Sequence, residues 1–257
     1  MRKRKIYIKI TKEVRALSES FMIKPIAKIY TDFPEKFGIP RQSGMVEELE
    51  GKIVFSPEYR FPEAVRELDG FSHIWLIWQF SGCASYPFRP TVRPPRLGGN
   101  KRVGVFASRS PFRPNSLGLS CVRLKRVDLD CDEAPVLYVS GIDLMNETPI
   151  FDIKPYLPFA DSKTDATPGY TAFTERYSVK VRYNEQVLAD FPKDKLNALI
   201  SLLENDPRPS YKARQQAEYA VSFAGYNIRF RARDGEIEII RTEKNTEKGS
   251  LQNGTSD

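Results

Sequence analysis

Short apolar runs follow one another along much of the first 160 residues, with no long helical pattern between them. Many of their residues are β-branched or aromatic, which favours strands. The runs are "FMIKPIAKIYTDF" (21–33), "FSHIWLIWQF" (71–80), "KRVGVFAS" (101–108), "LGLSCVRLKRVDL" (117–129), "APVLYVSGIDL" (134–144) and "PIFDIKPYL" (149–157). Strands that follow each other in this way favour a sandwich or a closed barrel. We therefore predict a mainly β fold, interrupted by a brief helix at "SPEYRFPEAVRELDG" (56–70).

The pattern changes after the polar, turn-rich segment 161–176. "FPKDKLNALISLLEND" (191–206) has leucines at helical spacing, and "YNIRFRARDGEIEIIR" (226–241) predicts a hairpin that turns at Asp234-Gly235. A chain of 257 residues can hold two unequal domains. We predict a polar leader over 1–21, a larger β domain over 22–165, a small α/β domain over 166–241 and a disordered tail over 242–257.

One long segment carries no acidic residue. No aspartate or glutamate occurs from Gly70 to Val127, although 28% of the residues of the chain are charged and the net charge is +7. Arginines and lysines that have no carboxylates among them repel each other, and a bound polyanion would relieve this repulsion. The segment therefore indicates a surface that binds a polyanion. Arg113 and Asn115, on a predicted turn, add donors suited to phosphates or base edges. Nucleic acid is therefore the leading candidate partner.

Several other kinds of site are disfavoured. Cys83, Cys121 and Cys131 are odd in number and lack the C-x-x-C spacing, which argues against disulfides and structural zinc and predicts a reduced, cytoplasmic setting without a metal. The single histidine, His73, lies in an apolar run and is interpreted as a hydrogen-bonded core residue. Neither a P-loop nor a Rossmann glycine motif is present, and no apolar stretch has membrane-spanning length.

Five blocks, in this order, resemble the TrmO (YaeB/TsaA-like) family. They are "KFGIPRQSG" (36–44), "LDGFSHIWLIWQF" (68–80), "RPPRLGGNKRVGVFASRSPFRPNSLGLS" (93–120), "GIDLMNETPIFDIKPYLPFADS" (141–162) and "DPRPSY" (206–211). The resemblance implies an N-terminal, non-Rossmann β-barrel methyltransferase domain with a small C-terminal α/β domain. It also implies methyl transfer from S-adenosylmethionine to N6 of N6-threonylcarbamoyladenosine, immediately 3′ of the anticodon of tRNA. Family members are expected to form homodimers with the active site close to the subunit interface.

The resemblance also implies a cofactor pocket, and the basic residues and the reaction chemistry suggest tRNA contacts and a catalytic residue. The expected cofactor pocket consists of Arg41, Gln42, Ser43, Phe80, Ser81, Arg109, Leu119, Ile142, Asp143, Leu144 and Met145. The expected tRNA contacts are Arg93, Arg96, Lys101, Arg102, Arg113, Asn115 and Arg208, with Lys212 as a further candidate. Asp143 is the candidate catalytic residue, as the acceptor of the N6 proton.

Some of these residues have a second interpretation. Arg109 could contact RNA phosphate, Leu119 could belong to the core, and Asp143 could cap a turn. Ser81 stands where many family members have a histidine, so no role of that histidine transfers to this chain. Two alternative functions stay open, a non-catalytic RNA-binding module and a methyltransferase that acts on a small molecule.

Overall fold

The structure is a computed structural model that describes residues 22–83, 87–94, 97, 101–173, 178–208, 217–233 and 235–245. The strands are β1 (Ala27–Thr31), β2 (Glu50–Phe55), β3 (His73–Gln79), β4 (Thr91–Val92), β5 (Val103–Gly104), β6 (Leu117–Asp128), β7 (Val136–Ser140), β8 (Thr148–Pro155), β9 (Lys180–Tyr183), β10 (Ala217–Phe223), β11 (Tyr226–Arg233) and β12 (Glu236–Lys244). The α-helices are α1 (Pro158–Asp161) and α2 (Leu196–Glu204). Short 3-10 helices cover Pro57–Tyr59, Pro62–Val65, Leu68–Gly70, Ser81–Cys83, Val105–Ala107, Gly169–Phe173, Glu185–Leu188 and Lys193–Lys195.

Six strands form a closed barrel in the order β1-β2-β7-β6-β3-β8, and all its neighbours pair antiparallel. The side chains alternate as a barrel wall requires: Ile74, Leu76 and Trp78 of β3 are buried, and the residues between them are partly exposed. Opposite Trp78, a Cβ at Gly118 would lie 2.3 Å from the indole ring, so the ring occupies the space of the missing side chain. The predicted mainly β fold with a barrel is confirmed.

The C-terminal part forms a second sheet of four strands, in the order β10-β11-β12-β9. The predicted hairpin is present, with Gly235 at φ 82°, and α2 lies within the predicted helix. Strand β12 pairs with β11 as far as Lys244, past the predicted start of the tail at residue 242. The predicted leader, 1–21, and residues 246–257 lie outside the described residues.

The predicted helix over 56–70 is wrong. This segment forms three 3-10 helices instead of one α-helix. Pro57 and Pro62 each begin a new turn, and Glu67 adopts the left-handed conformation at φ 64°. Each of these features interrupts an α-helical hydrogen-bond ladder.

The barrel and the second sheet share one hydrophobic core. Phe33, which follows β1, packs on Phe223 of β10 with ring centroids 5.2 Å apart, and the backbone N–H of Ala224 donates to the carbonyl of Asp32 at 3.1 Å. Gly38 lies so close to Val221 that an added Cβ would be 2.3 Å from its Cγ2. The domain boundary near residue 165 stays a prediction. Within the described ranges, no helix has the length and apolar character needed to span a membrane.

Candidate active site

The carboxylate of Asp143 lies just after strand β7, where the chain turns through Gly141 at φ 72°. The hydroxyl of Ser120, in the neighbouring strand β6, donates to Oδ1 of Asp143 at 2.6 Å. Nε1 of Trp78, in β3, donates to Oγ of Ser120 at 2.9 Å. Ser120 and Trp78 are buried and Asp143 is partly buried, so the barrel wall holds the carboxylate in a fixed orientation.

The surroundings of Asp143 adjust its protonation. Burial raises the pKa of its carboxyl from 3.8 to about 6. The Ser120 hydroxyl, the backbone N–H groups of Ser43 and Asp143, and the positive charge of Arg109 oppose this rise. A carboxyl with a pKa of about 6 is mostly ionised at neutral pH, yet it can both accept and release a proton in that range.

The loop 41–44 borders this carboxylate. Oγ of Ser43 accepts a hydrogen bond from the backbone N–H of Cys121 at 3.1 Å, and the N–H of Gly44 donates to the carbonyl of Gly141 at 2.8 Å. These bonds fall where β6 has no partner from β7, since that pairing begins at Arg123. The loop therefore satisfies strand backbone groups that would otherwise lack a partner.

Side-chain hydrogen bonds connect this loop to two other segments. Nη1 of Arg109 donates to Oε1 of Gln42, and Nε2 of Gln42 donates to the carbonyl of Arg41. Nη2 of Arg41 donates to the carbonyl of Arg208 at 2.8 Å. The three predicted cofactor residues of the loop and Arg109 are therefore brought together, and the C-terminal part contacts this loop through the carbonyl of Arg208.

Arg208 is buried and does not lie on the surface. It is 2% exposed, and its Nε and Nη2 lie 2.8 and 2.9 Å from Oδ1 and Oδ2 of Asp206. Its guanidinium also lies 5.9 Å from the ring centroid of Tyr219. The contact of Arg208 with tRNA phosphate stays a prediction, and it would require this buried guanidinium to leave its carboxylate partner.

The other predicted cofactor residues differ in what they can offer. Ile142 and Leu144 are buried as whole residues, and the carbonyl of Leu144 already accepts a hydrogen bond from the hydroxyl of Thr31. Phe80 is partly buried and packs on Trp78 with centroids 4.3 Å apart. The remaining members are Ser81, which is exposed at the start of a 3-10 helix, Leu119, which is 55% exposed, and Met145, which is partly buried.

The predicted tRNA contacts lie mostly on the surface. Arg93, Lys101, Arg102 and Asn115 are exposed, and Arg96 and Lys212 lie outside the described residues. Arg113 is different: its Nη1 donates to the carbonyls of Val105 and Ser108 at 3.1 and 2.7 Å, so it holds a turn of its own segment in place.

Sequence reasoning missed Ser120 and Trp78. A signal for Ser120 was available, because the inward positions of β6 read Gly118, Ser120, Val122 and Leu124. A hydroxyl on an otherwise apolar inner face needs a buried partner. Trp78 carried no such signal, since a tryptophan in an apolar run is typical of the core.

A separate groove of about 610 Å³ lies elsewhere, and none of the predicted site residues lines it. Its walls are Glu47, Glu48, Glu50, Arg123, Lys125, Ser140, Asp194, Lys195, Asn197 and Ala198. The Asp143 site is the better candidate for an active site, because it unites buried polar groups with a raised carboxyl pKa. Among the described residues, no group of three or more His, Cys, Asp or Glu is placed to hold a metal ion.

The buried ion pair yields a stability prediction. Replacing Arg208 by Met leaves the Asp206 carboxylate without this cation, and we expect the free energy of unfolding to fall by about 3–5 kcal/mol. The double variant Arg208→Met/Asp206→Asn should lose less. Arg182→Met, which breaks the exposed pair with Glu236, should cost less than about 1 kcal/mol. Urea unfolding followed by circular dichroism measures all three, and equal losses in Arg208→Met and Arg182→Met would contradict the assignment.

The raised pKa of Asp143 yields a pH prediction. The native carboxyl keeps its proton up to about pH 6, and the unfolded one only up to about pH 3.8. As the pH rises between these values, the free energy of unfolding of wild type should therefore fall relative to that of Asp143→Asn, by at most roughly 3 kcal/mol. Urea unfolding of both proteins at pH 4, 5, 6 and 7 measures the difference.

Asp161 provides a control of opposite sign. The backbone N–H of Leu157 and the indole of Trp75 lower the pKa of Asp161. Wild type should therefore gain stability over Asp161→Asn as the pH rises. A difference between wild type and Asp143→Asn that does not change with pH would refute the assignment for Asp143.

Comparison with known proteins identifies the family of this chain. The chain matches the model of the tRNA-methyltransferase O N-terminal domain over residues 28–162 and that of the TrmO C-terminal domain over residues 176–245. It is 40% identical over 232 residues to the tRNA (adenine(37)-N6)-methyltransferase of Escherichia coli (strain K12), a match that covers 87% of this chain and 98% of the relative. A Pseudomonas aeruginosa protein named putative S-adenosylmethionine-dependent methyltransferase RcsF is 38% identical over 197 residues, covering 74% and 83% of the two chains.

Solved structures show the same fold. The crystal structure of TrmO from Pseudomonas aeruginosa has a TM-score of 0.69 to this chain at 27% identity, covering 87% of this chain and 98% of the other. Both family models match in the expected order, and together they span most of the described residues. The chain therefore belongs to the tRNA-methyltransferase O (TrmO) family.

Proposed function

We propose that this protein is an S-adenosylmethionine-dependent tRNA methyltransferase that acts on N6 of the adenosine immediately 3′ of the anticodon, with N6-threonylcarbamoyladenosine as its substrate. The observation that carries the proposal is the carboxylate of Asp143, which burial holds at a pKa of about 6 and which the Ser120 hydroxyl holds in place. Membership of the TrmO family, and relatives named for methylation of adenine(37) in tRNA, support the same reaction.

The residues around Asp143 fit the proposed cofactor. S-adenosylmethionine, when bound, supplies an electrophilic methyl group on a positively charged sulfur. Arg109, exposed at the loop 41–44, is a cation suited to the carboxylate of the cofactor's methionine part. Phe80, which is partly buried against Trp78, provides apolar surface for an adenine ring.

Asp143 is proposed to remove a proton from the substrate. In a threonylcarbamoyladenosine, the lone pair of N6 is delocalised into the attached acyl group, so this nitrogen is a poor nucleophile while it keeps its proton. Above its pKa of about 6, the Asp143 carboxylate can accept that proton. Because the Ser120 hydroxyl donates to Oδ1, it also fixes the direction in which the carboxylate points.

The proposal extends to partners and place. Exposed Arg93, Lys101 and Arg102 supply cations for tRNA phosphates without reading the base sequence. A homodimer is proposed because Leu117 and Leu119 expose 36% and 55% of their surface on the outer wall of the barrel. We also propose a cytoplasmic location, as the place where the proposed tRNA substrate is found.

The reaction is tested with labelled S-adenosylmethionine and total tRNA from cells with and without the threonylcarbamoyl modification, followed by nucleoside analysis. We expect label on N6 of the modified nucleoside only. Label in both tRNAs would remove the prerequisite but keep the activity. No label in either, from folded protein that binds the cofactor, would favour the non-catalytic RNA-binding alternative. Label on a small molecule instead of tRNA would favour the other alternative.

The pH dependence of single-turnover transfer tests the role of Asp143. The rate should rise through about pH 6 and then level off. Asp143→Asn should reduce it about 10²- to 10⁴-fold with unchanged cofactor affinity. Ser120→Ala removes a bond that lowers the pKa, so the midpoint should move to higher pH, whereas the exposed control Ser162→Ala should match wild type. Full turnover of Asp143→Asn would exclude this carboxylate as the base.

A further inference from the structure

Two phenylalanines are exposed in the segment without carboxylates. Phe106 and Phe88 expose 70% and 47% of their surface, and their rings lie 6.4 Å apart at an interplanar angle of 26°. Phenyl rings this exposed lose the free energy that burial would provide. A neighbouring pair of them, with nearly parallel planes, marks a surface that another molecule covers.

Hydrogen bonds hold the backbone that carries the two rings. Phe106 lies in the 3-10 helix Val105–Ala107, whose carbonyl at Val105 accepts a hydrogen bond from Arg113. The guanidinium of Arg113 also lies 5.6 Å from the centroid of the Phe106 ring. On the other side, the N–H of Val105 donates to the carbonyl of Pro90 at 3.0 Å, close to Phe88 in the chain. The backbone beneath the pair is therefore held in place, which lowers the entropic cost of binding.

The charges around the pair select the kind of partner. Arg89 lies 4.6 Å from the centroid of Phe112, and Arg93, Lys101 and Arg102 are exposed on or beside the short hairpin of β4 and β5. The sequence holds no carboxylate between Gly70 and Val127. Exposed aromatic faces among cations match single-stranded nucleic acid, whose bases stack on the rings while its phosphates meet the cations.

We propose that Phe88 and Phe106 form a stacking platform for an unstacked base of the tRNA anticodon loop. The inference rests on the proposed function and assigns it a surface for the RNA. Bases in a duplex stem are already stacked, so only a loop can supply one. The platform is close to the reacting end of the site along the chain: Arg109, three residues beyond Phe106, is the cation whose charge lowers the pKa of Asp143.

The test measures the binding of two RNAs at one fixed salt concentration: a hairpin that carries the anticodon loop, and a blunt duplex of equal length. For Phe106→Ala we expect the hairpin Kd to rise about 5- to 150-fold, the range measured for loss of one stacked base. Phe106→Leu, which stays apolar without an aromatic face, should be similarly weak, and Phe106→Trp should match wild type. The duplex Kd should not change. Phe159→Ala, at a phenylalanine that is 85% exposed on α1, is the matched control.

Several outcomes overturn the proposal. If Phe88→Ala/Phe106→Ala binds the hairpin as wild type does while wild type methylates tRNA, the platform is refuted and the proposed function stands. Wild-type affinity in Phe106→Leu would refute stacking. Equal losses for hairpin and duplex would indicate a phosphate or folding effect instead. Dissociation of a wild-type dimer by Phe106→Ala in sedimentation velocity would identify a contact between two copies. If wild type neither binds nor methylates tRNA, both proposals fail.

Discussion

The short pairing between β6 and β7 determines where the site forms. Strand β6 has twelve residues and pairs with β3 along its first half, but its pairing with β7 begins only at Arg123. Before Arg123, the backbone groups of β6 that point away from β3 still need partners, since an unpaired buried N–H is costly. Ser43 supplies one of them through the N–H of Cys121, and this contact draws the loop 41–44 towards the turn after β7. Ser120 and Asp143 meet at that same place, so the candidate site is a consequence of how the barrel closes.

Two opposing effects act on the pKa of the Asp143 carboxyl. Burial raises the pKa of Asp143, and the positive charge of Arg109 lowers it. Arg109 belongs to the segment without carboxylates, which is also the proposed surface for RNA. RNA phosphates close to Arg109 would oppose its charge and raise the pKa further. If the proposed roles hold, polyanion binding and proton transfer would be coupled through one guanidinium, and both would depend on the salt concentration.

Much of the fold followed from the sequence, because alternating apolar residues are a local signal. β3 and the hairpin of β11 and β12 were predicted from such patterns, whereas the helix over 56–70 was wrong, since the prolines that can start a helix also divide this segment into turns. Arg208 shows the limit for the site. Its partner Asp206 is only two residues away in the chain, but Arg208 also contacts Tyr219, which is more distant and which no local pattern indicates. The resemblance brought the loop 41–43 and Arg109 into one list, but the hydrogen bonds that join them depend on contacts between residues far apart in the chain.

The contact between Arg41 and the C-terminal part has a consequence for how this protein tolerates change. The acceptor is the main-chain carbonyl of Arg208, not its side chain. Every amino acid carries that carbonyl, so no substitution at position 208 deletes the acceptor, and variants there act only by shifting the backbone. The donor at position 41 has no such protection, because the hydrogen bond is made by its guanidinium. Inherited variation can therefore remove this link between the two halves at position 41 and only loosen it at position 208.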